Sequence, residues 1–267
     1  MTGVATSGAL RLIEHVMGMP VILDIRDHEA DADIAASVFA WLHRVDATFS
    51  TYKPESEVSR LGRGELDLDA ASADVKEVLD RCETIGRSSD GYFDINATGT
   101  LDPSGLVKGW SVDRAGAILE RAGVRNFALY AGGDILVRGQ AGDETPWRVG
   151  IQHPLLPDRL AAVVVGEDLA IATSGAYARG DHVLDPYTGR PPGGVLSVTV
   201  TGPELATADA YATAAFAMGA RGPHWTARLR GYEAMTILAD SSVLSTPGFP
   251  SAAVDTDEDG AADSTEP

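Results

Sequence analysis

Four short stretches of this chain combine residue types that can do chemistry. The densest is Ala172–Pro191, ATSGAYARGDHVLDPYTGRP, which sets Ser174, His182, Asp185 and Thr188 among glycines and a proline turn in a chain with only 6 histidines. Ser, His and Asp are the parts of a nucleophilic triad, but the nucleophile of such a triad normally sits on a strained G-x-S-x-G turn. ATSGA supplies half of that turn, and the closeness of His182 to Asp185 makes triad geometry awkward. The competing reading makes Ser174 and Gly175 a polar wall around a ligand. In TADAYATA, Asp209 and Thr213 are one helical turn apart and share a face. Both offer oxygen to a hard cation such as Mg2+, and a cation would relieve the cost of a carboxylate among buried alanines. Taken alone, the same letters also describe a helix-capping Asp and a Thr bonded back to the preceding turn. The familiar zinc spacings, H-x-x-x-H and H-E-x-x-H, do not occur.

The third stretch, DPSGLVKGWSVDR, flanks Lys108 with Gly105 and Gly109 just ahead of an expected helix. Exposed backbone and one cation beside a helix N-terminus suit an anion, although the Walker spacing is absent and a solvated lysine at a turn fits equally. The fourth, YAGGDILVRG, puts two glycines and Asp134 between two apparent strands. It reads as a hairpin or as close approach of backbone to a ligand.

The elements that must position these residues follow from periodicity. Strands are expected at about 10–16 and 20–26, interrupted by MGM. Ile34, Val38, Trp41, Leu42 and Val45 make one helical stripe. Ser56 and Ser59 suit the start of a short helix, 74–87 is helical, and a helix over about 110–121 stops at Gly123. Strands are expected at 127–130, 135–138, 147–152, 161–165, 169–173 and 195–201. ELATADAYATAAFAMG is a helix apolar on nearly every side and therefore buried; a helix near 224–230 and the strand EAMTILAD close the fold. This mixed order argues α+β rather than a doubly wound sheet.

The chain has 267 residues, enough for one large domain. Its 21 Lys+Arg against 39 Asp+Glu give a net charge of -18, which repels phosphate backbones and anionic membranes and argues against nucleic acid as a partner. The lone Cys82 excludes an internal disulfide or thiolate cluster and reads as packing. No apolar stretch approaches a membrane span, and the first residues lack the pattern of a secretory signal, so a cytoplasmic protein is expected. We expect a single domain over 1–246 and an acidic, disordered tail over 247–267. The sequence leaves the oligomeric state open.

In this order, the motifs resemble the ApbE family, the FAD-dependent flavin transferases that attach FMN to a threonine of another protein. The resemblance is carried by MGMP, FSTYKPESEVSRL, DGYFDI, DPSGLVKGWSVDR, GGDI, ATSGAYARGDHVLDPYTGRP and TADAYATA, and covers most of the chain. It implies an α+β fold of two intimately packed, T-fold-like halves around a central FAD cleft. It implies that Asp209 and Thr213, with an oxygen near Gly105, bind Mg2+. Met17, Tyr52, Tyr92, Phe93, Asp94, Asp102, Lys108 and Val183 would line the FAD site, with backbone around Gly133 and the wall residues Ser174 and Gly175. His182 would lie near the diphosphate and the incoming hydroxyl, as the first candidate for the base, and Lys108 would stabilise phosphoryl charge. The implied partners are FAD and an acceptor protein carrying the modified threonine. Two related readings share the site: hydrolysis of FAD to FMN and AMP, and FAD binding without turnover. The chain departs from many relatives in the short segment between Phe93 and Lys108, and Gly105 can reach a metal only through its carbonyl.

Overall fold

Alternating and continuous apolar runs become strands, and the 3.6-residue stripes become helices that cover one face of them. The structure, a computed structural model, describes residues 2–6, 9–27, 32–175 and 183–252. The strands are β1 (Thr2–Thr6), β2 (Ala9–Val16), β3 (Met19–Ile25), β4 (Phe127–Ala131), β5 (Asp134–Arg138), β6 (Trp147–Gln152), β7 (Leu160–Gly166), β8 (Leu169–Gly175), β9 (Val195–Gly202), β10 (Glu233–Leu238), β11 (Val243–Ser245) and β12 (Ser251–Ala252). The helices are α1 (Ala32–Phe49), α2 (Glu57–Gly62), α3 (Ala73–Ser88), α4 (Ser104–Arg121), α5 (Leu205–Ala217) and α6 (Gly222–Thr226).

One nine-stranded antiparallel sheet runs β1-β2-β3-β4-β5-β8-β9-β10-β11, and a second sheet of three strands runs β12-β7-β6. The large sheet consists of two similar halves. In the first, β2 and β3 are followed by helices α1 to α4 and then by β4 and β5; in the second, β8 and β9 are followed by α5 and α6 and then by β10 and β11. Antiparallel pairing of β5 with β8, Ile135 opposite Ile171, joins them. This is the α+β arrangement of two packed halves that the resemblance implied.

The central strands of the large sheet are buried on both faces because alternate side chains enter different cores. Phe127, Leu129, Leu136 and Ala172 pack toward the helices, while Ala128, Val137 and Ile171 pack with Trp147, Val149 and Ile151 of the small sheet. Within the helical layer α4 and α5 meet backbone to backbone. A Cβ on Gly109 would stand 2.4 Å from the Leu205 carbonyl oxygen, so only glycine permits this approach. The same contact lets the Asp113 carboxylate accept hydrogen bonds from the Leu205 and Ala206 N–H groups, at 2.9 and 2.8 Å, capping α5 from a neighbouring helix. Burial raises the Asp113 carboxyl to about 6, the two backbone bonds pulling against it.

Three expectations need correction. Helix α4 begins at Ser104, not near residue 110, so Gly105 and Lys108 lie in its first turns instead of ahead of it. The helix expected near 224–230 is the shorter α6, preceded by a 3-10 turn at Gly219–Arg221. The packed chain also passes residue 246: Phe249 is buried under the small sheet and β12 pairs with β7, so the described fold runs through Ala252. At the other end of α4, Gly123 adopts φ +90° and closes a Schellman motif, with its own N–H bonded to Glu120 O and that of Val124 to Leu119 O.

Candidate active site

At the seam between the halves lies a cavity of about 640 Å3, within the size range of small-molecule and cofactor sites. Its floor is charged. Lys108 on α4 places its Nζ 2.7 Å from Asp134 Oδ2 at the start of β5, and 3.5 Å from Asp209 Oδ1 on α5. Asp134 Oδ1 accepts the Thr173 N–H at 3.2 Å, and Asp209 Oδ2 accepts the Gly109 N–H at 3.2 Å. Both carboxylates are buried. Two carboxyl groups thus face one ammonium out of water. Burial pushes the Asp209 carboxyl above its usual range; the Lys108 ammonium pulls it down and Asp134 adds to the rise. Asp134 Oδ2 faces the ammonium but completes no hydrogen bond of ordinary geometry.

Beside this cluster, Thr213 Oγ1 lies 3.3 Å from Ser174 Oγ at the end of β8. Asp209 and Thr213 do share one face of α5, and neither follows the bland alternative. Asp209 reaches across to α4 instead of capping its own helix, the cap being Asp113. Opposite them, Gly105 leaves room: a Cβ there would stand 3.3 Å from both Thr213 Oγ1 and Phe93 Cε2.

The cavity walls collect most of the residues singled out in the sequence. Tyr52, Tyr92, Phe93, Asp94, Asp102, Gly105, Lys108, Gly133, Ser174, Gly175, Val183, Asp209 and Thr213 all line it. Tyr52 stands at the rim, 95% exposed. Tyr92 packs against the Tyr187 ring at 5.0 Å, under the Arg221 guanidinium, which also donates to its hydroxyl. Met17 is the exception among the described residues. It occupies the β2–β3 turn with φ +54°, followed by Gly18 at +71°, the two left-handed positions of a I′ hairpin, and its sulfur accepts from Ser111 Oγ at 3.9 Å. That turn is not part of the cavity lining. His182 lies outside the described residues. Asp185, the third member of the hypothetical triad, turns its carboxylate into its own loop to accept the Tyr187 N–H at 2.9 Å.

Sequence reasoning missed the role of Asp134. GGDI drew attention to its glycines, and Gly132 and Gly133, at φ +56° and +97°, do form the tight β4–β5 turn. The aspartate directly after that turn is the closer of the two carboxylates to Lys108. Also missed were Gly150, Ile151 and Gln152 of β6, and Ile95, Ala97 and Thr98. The short segment between Phe93 and Lys108 is thus itself a wall, its loop closed by the Asp102 N–H bonding Ile95 O at 2.7 Å.

The family model for the ApbE family matches residues 17–100 and 96–236. The chain belongs to the ApbE family. Among curated relatives, the FAD:protein FMN transferase of Rhodobacter capsulatus is 32% identical over 226 residues, 81% of this chain and 40% of the relative. That of Vibrio cholerae is 38% identical over 129 residues, 45% of this chain and 39% of the relative. The chain therefore spans about two fifths of the length of these relatives. Among solved structures, the flavin transferase ApbE from Vibrio cholerae matches with a TM-score of 0.82 at 24% identity, over 90% of this chain and 98% of that one. The ApbE protein of Thermotoga maritima matches at 0.78 with 22% identity, over 90% and 97%. Both ApbE structures share the present fold. No helix among the described residues is long and apolar enough to cross a membrane.

Proposed function

We propose that this ApbE-family chain transfers FMN from FAD to a threonine hydroxyl of an acceptor protein, releasing AMP, with Mg2+ as its metal. The observation that carries this reading is the buried pair of carboxyl groups facing one ammonium at the floor of a cofactor-sized cavity. In the reaction the threonine Oγ forms a bond to the FMN phosphorus, the diphosphate P–O bond to AMP breaks, and the hydroxyl proton passes to a base.

The donor set fits a hard divalent cation. Asp209 and Thr213 supply oxygens from one helix face, Ser174 Oγ lies beside Thr213, and Gly105 can add only its carbonyl. The raised Asp209 carboxyl marks a place where added positive charge, a proton or a cation, is favoured. When bound, Mg2+ would supply positive charge to phosphoryl oxygens. Lys108, held by Asp134, presents its ammonium to the same oxygens and to the departing phosphate. Ser174, Gly175 and the glycine turn at Gly132–Gly133 let the ligand approach backbone closely, while Tyr92 and Phe93 offer aromatic surface. We assign His182 as the base that takes the hydroxyl proton.

The test is to incubate the chain with FAD, Mg2+ and short threonine-containing peptides and to follow peptide mass and AMP. A peptide gaining FMN in step with AMP supports the transferase. AMP without a labelled peptide identifies an FAD hydrolase, and saturable FAD binding with no AMP identifies a binding protein. His182→Ala that binds FAD normally and transfers at close to the parent rate removes His182 from the role of base.

A further inference from the structure

The acceptor must bring a polypeptide hydroxyl to the cavity, and the architecture offers an edge on which a polypeptide can register. In the small sheet β6 is the outermost strand, paired with β7 alone among the described residues. Three successive residues of it, Gly150, Ile151 and Gln152, border the cavity. Neighbouring residues of a strand point to opposite faces, so a cavity that meets three in a row meets the strand along its edge.

The hydrogen-bond register says which groups that edge presents. The Val165 N–H donates to Pro250 O at 3.0 Å, so Val165 faces β12 and away from β6. Its opposite number, Arg148, is therefore in a non-bonded pair, and by alternation so is Gly150, opposite Val163. The N–H and C=O of Arg148 and Gly150 point outward, free of the β6–β7 ladder. Beyond them the β6–β7 loop carries Leu155 and Leu156, and β7 opens on Leu160; the three are 55%, 46% and 48% exposed. The loop is held by its own bonds: His153 N to Arg159 O at 2.9 Å, Arg159 N to Leu156 O at 2.9 Å, and Gln152 Nε2 to Pro157 O at 3.0 Å. The Leu160 side chain lies over Gly150, a Cβ on which would come within 2.8 Å of it. An edge unpaired among the described residues, an apolar lip beside it and the cavity thus form one continuous surface.

We propose that an extended segment of the acceptor polypeptide adds a strand to the outer edge of β6, bonding to the backbone of Arg148 and Gly150 and resting apolar side chains on Leu160 and its loop, so that its threonine is delivered into the cavity. The proposal rests on the transferase reading. Backbone pairing fixes the depth of the threonine while leaving most of the segment's side chains unread.

The experiment uses the full chain, FAD, Mg2+ and a set of short synthetic peptides, each with a single threonine, read by mass spectrometry for FMN. Arg148→Pro removes one outward N–H without removing a ladder bond, as an edge strand tolerates, and Arg148→Val removes the charge while keeping that N–H. We expect Arg148→Pro to raise the KM for the labelled peptide about five- to tenfold, the loss of one backbone bond, with FAD affinity unchanged and Arg148→Val near the parent. On the peptide side, N-methylation scanned along the backbone should block labelling at every second residue. Labelling indifferent to Arg148→Pro in a folded variant, or an N-methyl scan without the two-residue alternation, overturns the docking edge while leaving the transferase intact; the scan decides even where the proline variant does not fold. Saturable FAD binding with no peptide labelled overturns the transferase reading, and the docking edge with it.

Discussion

Gly109→Ala isolates what the α4–α5 contact does. The added methyl would stand 2.4 Å from the Leu205 carbonyl oxygen, 2.6 Å from its carbon and 2.8 Å from Ala206 Cα. All three are backbone atoms, so no rotamer relieves the overlap; the helices must separate by roughly 1 Å to regain ordinary contact distances. That separation draws the Asp113 carboxylate away from the N–H groups it caps at 2.9 and 2.8 Å, and Asp209 away from the Gly109 N–H at 3.2 Å. Overpacking costs about 1–3 kcal/mol. The weakened cap adds about 1 kcal/mol, and the lost buried bond about as much. Against these stands the gain of about 1 kcal/mol from replacing glycine by alanine inside a helix. The net is about 2–4 kcal/mol of destabilisation, which for a chain of this size lowers Tm by about 5–15 °C. Thermal unfolding followed by circular dichroism measures this, with Gly116→Ala as the control. A methyl at Gly116 would also be close, 2.8 Å, but to Leu136 Cδ2, the far end of a side chain that can turn away. A Gly109→Ala protein that melts within about 1 °C of the parent, or above it, refutes the reasoning.

Lys108→Met leaves Asp134 and Asp209 buried without their ammonium, and we expect a loss of about 3–5 kcal/mol at neutral pH, measured by urea unfolding, that shrinks as acid neutralises the carboxylates. The Asp113 carboxyl is raised from its usual 3.8 to about 6, so the folded chain holds that proton more tightly than the unfolded one. Its contribution is complete below the unfolded value and is lost as pH rises through about 6. Relative to Asp113→Asn, parent stability should therefore fall by up to about 3 kcal/mol between about pH 4 and pH 7, and a flat difference would dismiss the assignment. Cys82 is buried and its thiol is pushed up to about 12, so iodoacetamide at mildly alkaline pH should leave it unmodified until the chain is unfolded, as intact mass will report.

How much of this was legible depended on whether the cause was local. The shared face of Asp209 and Thr213 followed from helical spacing alone. So did α1, of whose predicted stripe Val38, Trp41, Leu42 and Val45 are buried and Ile34 is half-buried. The start of α4 was misjudged because Gly105 and Gly109 weaken a helix in isolation. They are present for tertiary reasons: one leaves space beside Thr213 and the other admits the backbone of α5. The pairing of Asp134 with Lys108 leaves no local trace, because it joins the start of β5 to α4, two elements apart in the chain. The end of the fold was drawn too early because the acidic composition after residue 252 colours the stretch before it, where buried Phe249 and backbone pairing with β7 hold β12 in the small sheet. The motifs that carried the family resemblance succeeded where periodicity could not, since they group residues by the pocket they share.

The division of the large sheet into two halves bears on how the site comes to be assembled. Lys108, Gly105 and Asp134 belong to the first half, and Ser174, Asp209 and Thr213 to the second. Neither half contains both the cation and the helix that opposes it, so a nascent chain that has released only β2 to β5 owns only part of the site. Cutting the chain within the β6–β7 hairpin would yield two fragments, each with only part of the site. Fragment complementation on mixing them would then report the docking of α4 on α5 directly, with ligand binding as the signal that assembly is complete.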